Sequence, residues 1–158
     1  MLLLIDGTAG SNIAAFLLRL QEETMPCIIQ QYDAWHHEHT TCHDHHHDKP
    51  SGIIFMRVLP EIAYKRLQQY HPQNQITLDE INHIYNQKED FFITNKNNPQ
   101  DLKNLPVLVL NGNINFQTDF SQFYNHLFYI RRFIKQIEER RDIAMGIHKE
   151  KIPQRKCC

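Results

Sequence analysis

Two stretches of this 158-residue chain carry residue types that could do chemistry. The first is Asp6-Gly7-Thr8-Ala9-Gly10-Ser11, set between the apolar run Leu2-Leu3-Leu4-Ile5 and a segment with Ile13, Phe16, Leu17 and Leu20 at helical spacing. A buried strand, a glycine turn and an amphipathic helix form the frame of a phosphate-binding loop, in which backbone N–H groups at the helix start cradle phosphate oxygens. Such a loop also needs a Lys to bridge the phosphates and a Ser/Thr hydroxyl to hold Mg²⁺. Ile13 and Ala14 stand at those two positions. Gly7, Gly10 and Ser11 are therefore candidate anion-binding positions without the accompanying cation chemistry. The competing reading is that the two glycines only let the strand swing tightly into the helix.

The second stretch is His36-His37-Glu38-His39-Thr40-Thr41-Cys42-His43-Asp44-His45-His46-His47-Asp48, which holds seven of the eleven His of the chain. Neutral imidazoles and a thiol are ligands for Zn²⁺ and other transition metals, so His36, His37, His39, Cys42, His43, His45, His46 and His47 are candidate ligands. No HExxH or CxxC spacing defines a tetrahedral site. Incidental binding by a loop, a metal store or sensor, and a catalytic metal all stay open. Asp33, just ahead of this cluster, reads from its place as a loop-capping or ligand-side carboxylate.

Composition bounds these readings. At 41% hydrophobic and 22% charged residues, the chain is that of a globular domain with one core and room for no second domain. The apolar start lacks a basic region and meets Asp6 after a few residues, so neither a signal peptide nor a membrane span is expected, and the cytoplasm is the expected compartment. The four Cys have no staple-like spacing and are expected as free thiols. Residues 131–158 carry nine Lys/Arg against four Asp/Glu. This basic end accords with a helix C-terminus, and nucleic acid is not an expected partner.

The elements that must position these groups alternate. Strands are expected at residues 2–5, 27–32, 53–58 and 107–110, the last as a continuous apolar run buried on both faces. Val107 to Leu110 and Ile53 to Met56 are expected to flank or neighbour Leu2 to Ile5 in the sheet. Helices are expected at 11–23, from Pro60 at a helix N1 position to about Tyr70, from a Thr77/Glu80 capping box to about Phe92, and from Phe116 to about Arg141. Gln122 falls on the solvated face of that last helix in this reading. Residues 33–51 read as a polar loop without periodicity, and Asn111-Gly112-Asn113 as a turn. Alternating strands and helices imply an α/β fold with a short, mostly parallel sheet flanked by helices in three layers.

Four segments, in order, resemble the deoxynucleoside kinase family, the group that includes deoxycytidine and deoxyguanosine kinases. They are Gly52-Ile53-Ile54-Phe55-Met56-Arg57-Val58-Leu59-Pro60-Glu61; Tyr64-Lys65-Arg66-Leu67; Ile76-Thr77-Leu78-Asp79-Glu80-Ile81 through Lys88-Glu89-Asp90-Phe91-Phe92; and Leu105 through Phe116, with the core Val107-Leu108-Val109-Leu110-Asn111-Gly112-Asn113. The resemblance implies a P-loop kinase-like domain over residues 1–145, containing the His-rich loop at 33–51, and a basic tail at 146–158. The ancestral reaction it implies is ATP-dependent phosphorylation of a deoxynucleoside 5′-hydroxyl, with ATP and Mg²⁺ as cofactors and a nucleotide or nucleoside as partner. By the same resemblance Asp33 matches the family's base carboxylate, Arg66 a lid arginine, and Asn113 the loop near adenine. Glu89 matches a family Glu on the helix after the lid, and reads from its place on a helix surface as a solvated charge.

The departures fall on chemical groups. About thirty residues separate the first helix from Gly52, too few for the family's nucleoside-binding region, and Tyr70 and Pro72 stand where the lid supplies arginines. Catalysis is accordingly expected to be impaired or lost, as in a pseudokinase. The alternative is a non-catalytic metal-binding or interaction protein that uses the His-rich loop on the same scaffold. The last helix is also a candidate homodimer interface.

Overall fold

The computed structural model describes residues 1–41, 49–94 and 102–146, and the side chains of all of these except 39–41. Four strands form one parallel sheet: β1 (Leu2–Gly7), β2 (Ile28–Gln31), β3 (Gly52–Arg57) and β4 (Val107–Asn111), in the order β2-β1-β3-β4. Five helices surround it: α1 (Ile13–Leu20), α2 (Tyr32–Thr41), α3 (Pro60–Tyr70), α4 (Leu78–Phe92) and α5 (Phe120–Ala144). Alternate residues of β1 and β3 point to opposite sides. Leu3, Ile5, Ile54 and Met56 pack with Ile13 and Phe16 of α1 and with Phe123, Leu127, Ile130 and Ile134 of α5. Leu2, Leu4, Ile53 and Phe55 pack with Trp35 of α2 and Phe92 of α4. The result is the expected three-layer α/β arrangement, consistent with a P-loop kinase-like fold. No helix among the described residues is long and apolar enough to cross a membrane.

Local chemistry accounts for several boundaries. Pro60 opens α3, where its missing N–H costs nothing. Thr77 and Glu80 form the reciprocal capping box of α4, side chain to backbone in both directions at 3.2 Å. Helix α1 begins at Ile13 rather than residue 11, because Gly10 (φ 77°) and Asn12 (φ 56°) both take left-handed backbone. Helix α5 begins at Phe120 rather than Phe116. Asp119 caps it by accepting from the Ser121 N–H at 3.0 Å, and Phe116 instead lies in the preceding loop, edge-on to Phe16 with ring centroids 5.3 Å apart.

Four sequence expectations are corrected. Residues 33–41 are not loop: they belong to α2, which Trp35, buried against Leu2 and Leu4, and Tyr32, against Phe91 and Phe92, anchor to the sheet. Strand β4 is an edge strand, hydrogen-bonded only to β3; Val109 is 39% exposed and only Leu110 is buried. Ile53 to Met56 do lie beside Leu2 to Ile5 as expected, but the other neighbour of β1 is β2, so β4 lies one strand further out. Gln122 is buried rather than solvated, and its amide Nε2 donates to the Asn111 carbonyl at 3.2 Å, joining α5 to the end of β4.

Gln122 also lies 3.4 Å from Nε2 of His126, a buried imidazole whose ring sits edge-on to Phe16 at 5.7 Å. Burial holds this His well below its ordinary value, at about 4. In the unfolded chain it takes up its proton near pH 6.5. The folded state therefore binds fewer protons across the window from about 6.5 to 4, and stability, complete above that window, falls as pH is lowered through it. Urea unfolding at stepped pH should show a loss of up to about 3 kcal/mol between pH 7 and 4 attributable to this group. In His126→Leu that part of the slope should vanish; an unchanged slope would contradict the assignment.

Candidate functional site

The carboxyl ends of β1, β3 and β4 gather the candidate residues. Asp6 and Gly7 end β1, and the turn 8–12 carries the chain into α1. Thr8 fixes that turn to the next strand: its N–H donates to the Met56 carbonyl at 3.1 Å. Its buried hydroxyl donates to the Val58 carbonyl at 3.1 Å and accepts from the Val58 N–H at 2.8 Å. The Gly7 end of the turn is packed from within. A methyl placed on Gly7 would strike the Ser11 hydroxyl, and would lie 2.8 Å from Ser11 Cβ and 2.9 Å from Ile13 Cδ1, so these two side chains fold back onto the strand end. Two further backbone N–H groups of the turn are engaged: Gly7 donates to Asp6 Oδ1 at 2.8 Å and Ser11 to the Thr8 carbonyl at 3.2 Å. Gly10 is required twice, for its left-handed φ and because a Cβ there would lie 3.0 Å from Ala63 Cα of α3.

Arg66 reaches across from α3. Its guanidinium donates to the Gly10 carbonyl at 3.2 Å and to the Asn113 carbonyl at 2.6 Å, and partial burial lowers its pKa from the ordinary arginine value. Asn113 is equally committed: its side-chain oxygen accepts from the Leu59 N–H at 2.9 Å, and its own N–H donates to Asn111 Oδ1 at 2.9 Å. Three of the sequence candidates, Gly10, Arg66 and Asn113, thus meet in one clasp joining the turn, α3 and the loop after β4. A cleft of about 570 Å³ opens beside it, lined by Gly10, Ser11, Arg66, Tyr70, His71 and Gln117 among others. The Arg66 guanidinium in its wall suits a ligand with negative charge.

Asp33 lies elsewhere. It stands in the first turn of α2 and lines a second cleft of about 430 Å³ with Asp6, Tyr32, Lys88, Asp90 and Phe91. The two positions proposed for catalysis, Asp33 and Arg66, therefore line different clefts. In the second cleft Lys88 Nζ donates to Asp6 Oδ2 at 2.6 Å. Burial pushes the Asp6 carboxyl up, and the Lys88 ammonium opposes that shift. Tyr32 is pushed up as well, by burial first and then by the Asp6 and Asp33 charges. Three carboxylates against one ammonium favour an uncharged ligand with hydroxyl or amino donors over an anion. Glu89 is not a solvated charge. It accepts from Arg57 Nη1 at 2.8 Å, and that hydrogen bond raises the Arg57 pKa.

Of the metal candidates, His36 and His37 lie on α2, where His36 stacks on Tyr32 at 5.6 Å, and His39 is in the same helix. Cys42, His43, His45, His46 and His47 fall outside the described residues. Among the described residues no group of three His, Cys, Asp or Glu is placed to hold a metal ion. Sequence reasoning missed Asp6 and Lys88 as a pair, since 82 positions separate them and neither belongs to a local motif. It missed Thr8 because a hydroxyl in a glycine turn carries no signal of its distant partner.

No protein-family model matches the chain. The chain is similar to the probable deoxycytidine kinase of fowlpox virus (strain NVSL), 29% identical over 112 residues that make up 70% of this chain and 44% of that relative. The match thus spans less than half the length of the viral protein. It supports a deoxynucleoside kinase-like ancestry.

Removing the ammonium of Lys88 leaves Asp6 buried without its counter-charge. Lys88→Met should lower stability by about 2–4 kcal/mol, and Asp6→Asn in the same chain should recover most of that loss. A thermodynamic cycle on the four proteins measures the coupling; additive effects would show that the pair is not held as described.

Proposed function

We propose that this chain is a deoxynucleoside kinase-like protein that keeps clefts for a nucleoside or nucleotide at the carboxyl edge of its sheet but transfers phosphoryl groups poorly or not at all. One observation carries the reading: Ser11 and Ile13 pack against Gly7 at the base of the glycine turn. The residues present do not fit a Mg²⁺-bound triphosphate. Ile13 and Ala14 offer neither the bridging ammonium nor the metal-holding hydroxyl, the Thr8 hydroxyl is consumed by Val58, and Tyr70 and Pro72 stand where the resemblance places lid arginines, while Arg66 commits two of its N–H groups to backbone carbonyls. Groups aimed at developing phosphoryl charge are typically worth about 10²–10³ in rate each. Losing three removes most of a kinase's acceleration.

The two clefts support the binding half of the proposal by their opposite charge. The Arg66 cleft suits the anionic part of a nucleotide, and the Asp6–Asp33 cleft suits the hydroxyl and amino groups of a nucleoside. A second reading, metal binding through residues 36–47, rests on the density of imidazoles there.

Radiolabelled ATP assayed against the four deoxynucleosides should give turnover far below ~1 s⁻¹, the low end of kinase rates; turnover at that rate would overturn the proposal. In parallel, the melting temperature should rise with a deoxynucleoside at millimolar concentration. A rise with Zn²⁺ and none with any nucleoside would favour the second reading.

A further inference from the structure

The sheet ends on one side at β2, and the outer edge of that strand is open. Ile28 turns its N–H to the Met1 carbonyl at 3.1 Å, so the alternation of a strand turns the N–H and carbonyl of Ile29 and the N–H of Gln31 away from β1. Among the described residues nothing is hydrogen-bonded to these outward groups. Natural sheet edges are blunted by a Lys, a Pro or a bulge. Ile28-Ile29-Gln30-Gln31 contains none of these.

Side chains on both faces of this edge are incompletely covered. On the α1 side a cleft of about 270 Å³ is lined by Leu17, Leu20, Glu23, Met25, Cys27 and Ile29. It is smaller than the roughly 300–1,000 Å³ of small-molecule pockets and suits a single inserted side chain. Burial first, and the Glu138 carboxylate after it, raise the pKa of the Cys27 thiol, so this wall of the slot is uncharged at neutral pH. On the α2 side Ile28 is 64% exposed, and Glu38 accepts from Gln30 Nε2 at 3.3 Å. None of the slot residues lines either cleft described above.

We propose that this edge takes an extended segment of a partner protein as an added strand, with an apolar side chain in the slot and Lys or Arg flanking it. Main-chain hydrogen bonds to Ile29 and Gln31 give such a strand its hold, and the slot gives selectivity at alternate positions. Charge sets the composition of the partner. Exposed carboxylates stand on both sides of the edge, Glu38 on α2 and Glu138 on α5, while Glu23 in the slot wall already faces Arg131 at 3.7 Å. A strand that points Val or Leu at the slot points its intervening residues towards Glu38, where a cation is favoured and an acid repelled. With few main-chain bonds and one inserted side chain, the dissociation constant is on the order of 10–100 μM.

Fluorescence anisotropy of the full chain with a labelled peptide, acetyl-Gly-Lys-Val-Lys-Leu-Lys-Val-Gly-amide, tests this up to about 500 μM at low ionic strength. Binding should saturate, and the same peptide with Glu for each Lys should bind at least about tenfold more weakly. Glu38→Lys combined with Glu138→Lys should reverse that preference while the melting temperature stays within about a degree or two. Amide hydrogen exchange at Ile29 and Gln31 should be fast in the free chain and slow with the peptide bound. No saturation, or equal binding of the two peptides, overturns the proposal, as does a preference that charge reversal leaves intact. Binding that leaves both amides exchanging fast places the peptide elsewhere and overturns it too. Slow exchange at Ile29 in the free chain gives the edge to the chain's own residues if it is independent of concentration, and to a second copy if it grows with concentration; either result contradicts the proposal.

Discussion

A parallel strand that is hydrogen-bonded on both edges and apolar on both faces has no surface left for water, and β1 and β3 are both such strands. Leu2 to Ile5 and Ile53 to Met56 are buried almost completely. Helices must cover both sides, and each must be reached by a crossover that leaves from the carboxyl end of a strand. That geometry collects the ends of β1, β3 and β4 at one edge, together with the turns that follow them. The clefts lie there because the packing leaves the gaps there.

Polar groups crowded at such an edge must find partners or a ligand. Here many have found one another. Thr8 spans from β1 to Val58 and Arg66 ties α3 to two loops, while Lys88 crosses from α4 to the buried Asp6. A kinase holds comparable cations ready for phosphate oxygens; in this chain they stabilise the scaffold. The same substitution of internal for external partners is visible at Ser11, whose N–H bonds to Thr8 and whose side chain lies against Gly7.

What the sequence disclosed and what it hid follow from the range of the forces involved. Local chemistry is legible: the Thr77 capping box, Pro60 at its N1 position, and the glycine turn after β1 are written within a few residues. Helix α2 is not, because its polar run offers two anchors, Tyr32 and Trp35, whose partners lie in other elements. The apolar run 107–110 looked doubly buried, yet strand position in a sheet is a property of the whole topology, and β4 fell at the edge. Gln122 is polar and buried because a carbonyl at the end of β4 happens to lie within its reach. The site was half legible: Gly10, Arg66 and Asn113 do converge, but as a clasp, and Asp33 belongs with Asp6 and Lys88 in a separate cleft.

On the proposed function, the packing of Ser11 and Ile13 against Gly7 leaves the glycine turn unable to hold a triphosphate, and the affinity for Mg²⁺-ATP measures this most directly. Titration followed by ³¹P NMR should show no saturable change at the β- and γ-phosphorus resonances and a dissociation constant weaker than about 1 mM. A micromolar constant that depends on Mg²⁺, with the β- and γ-phosphate signals broadened on binding, would contradict it.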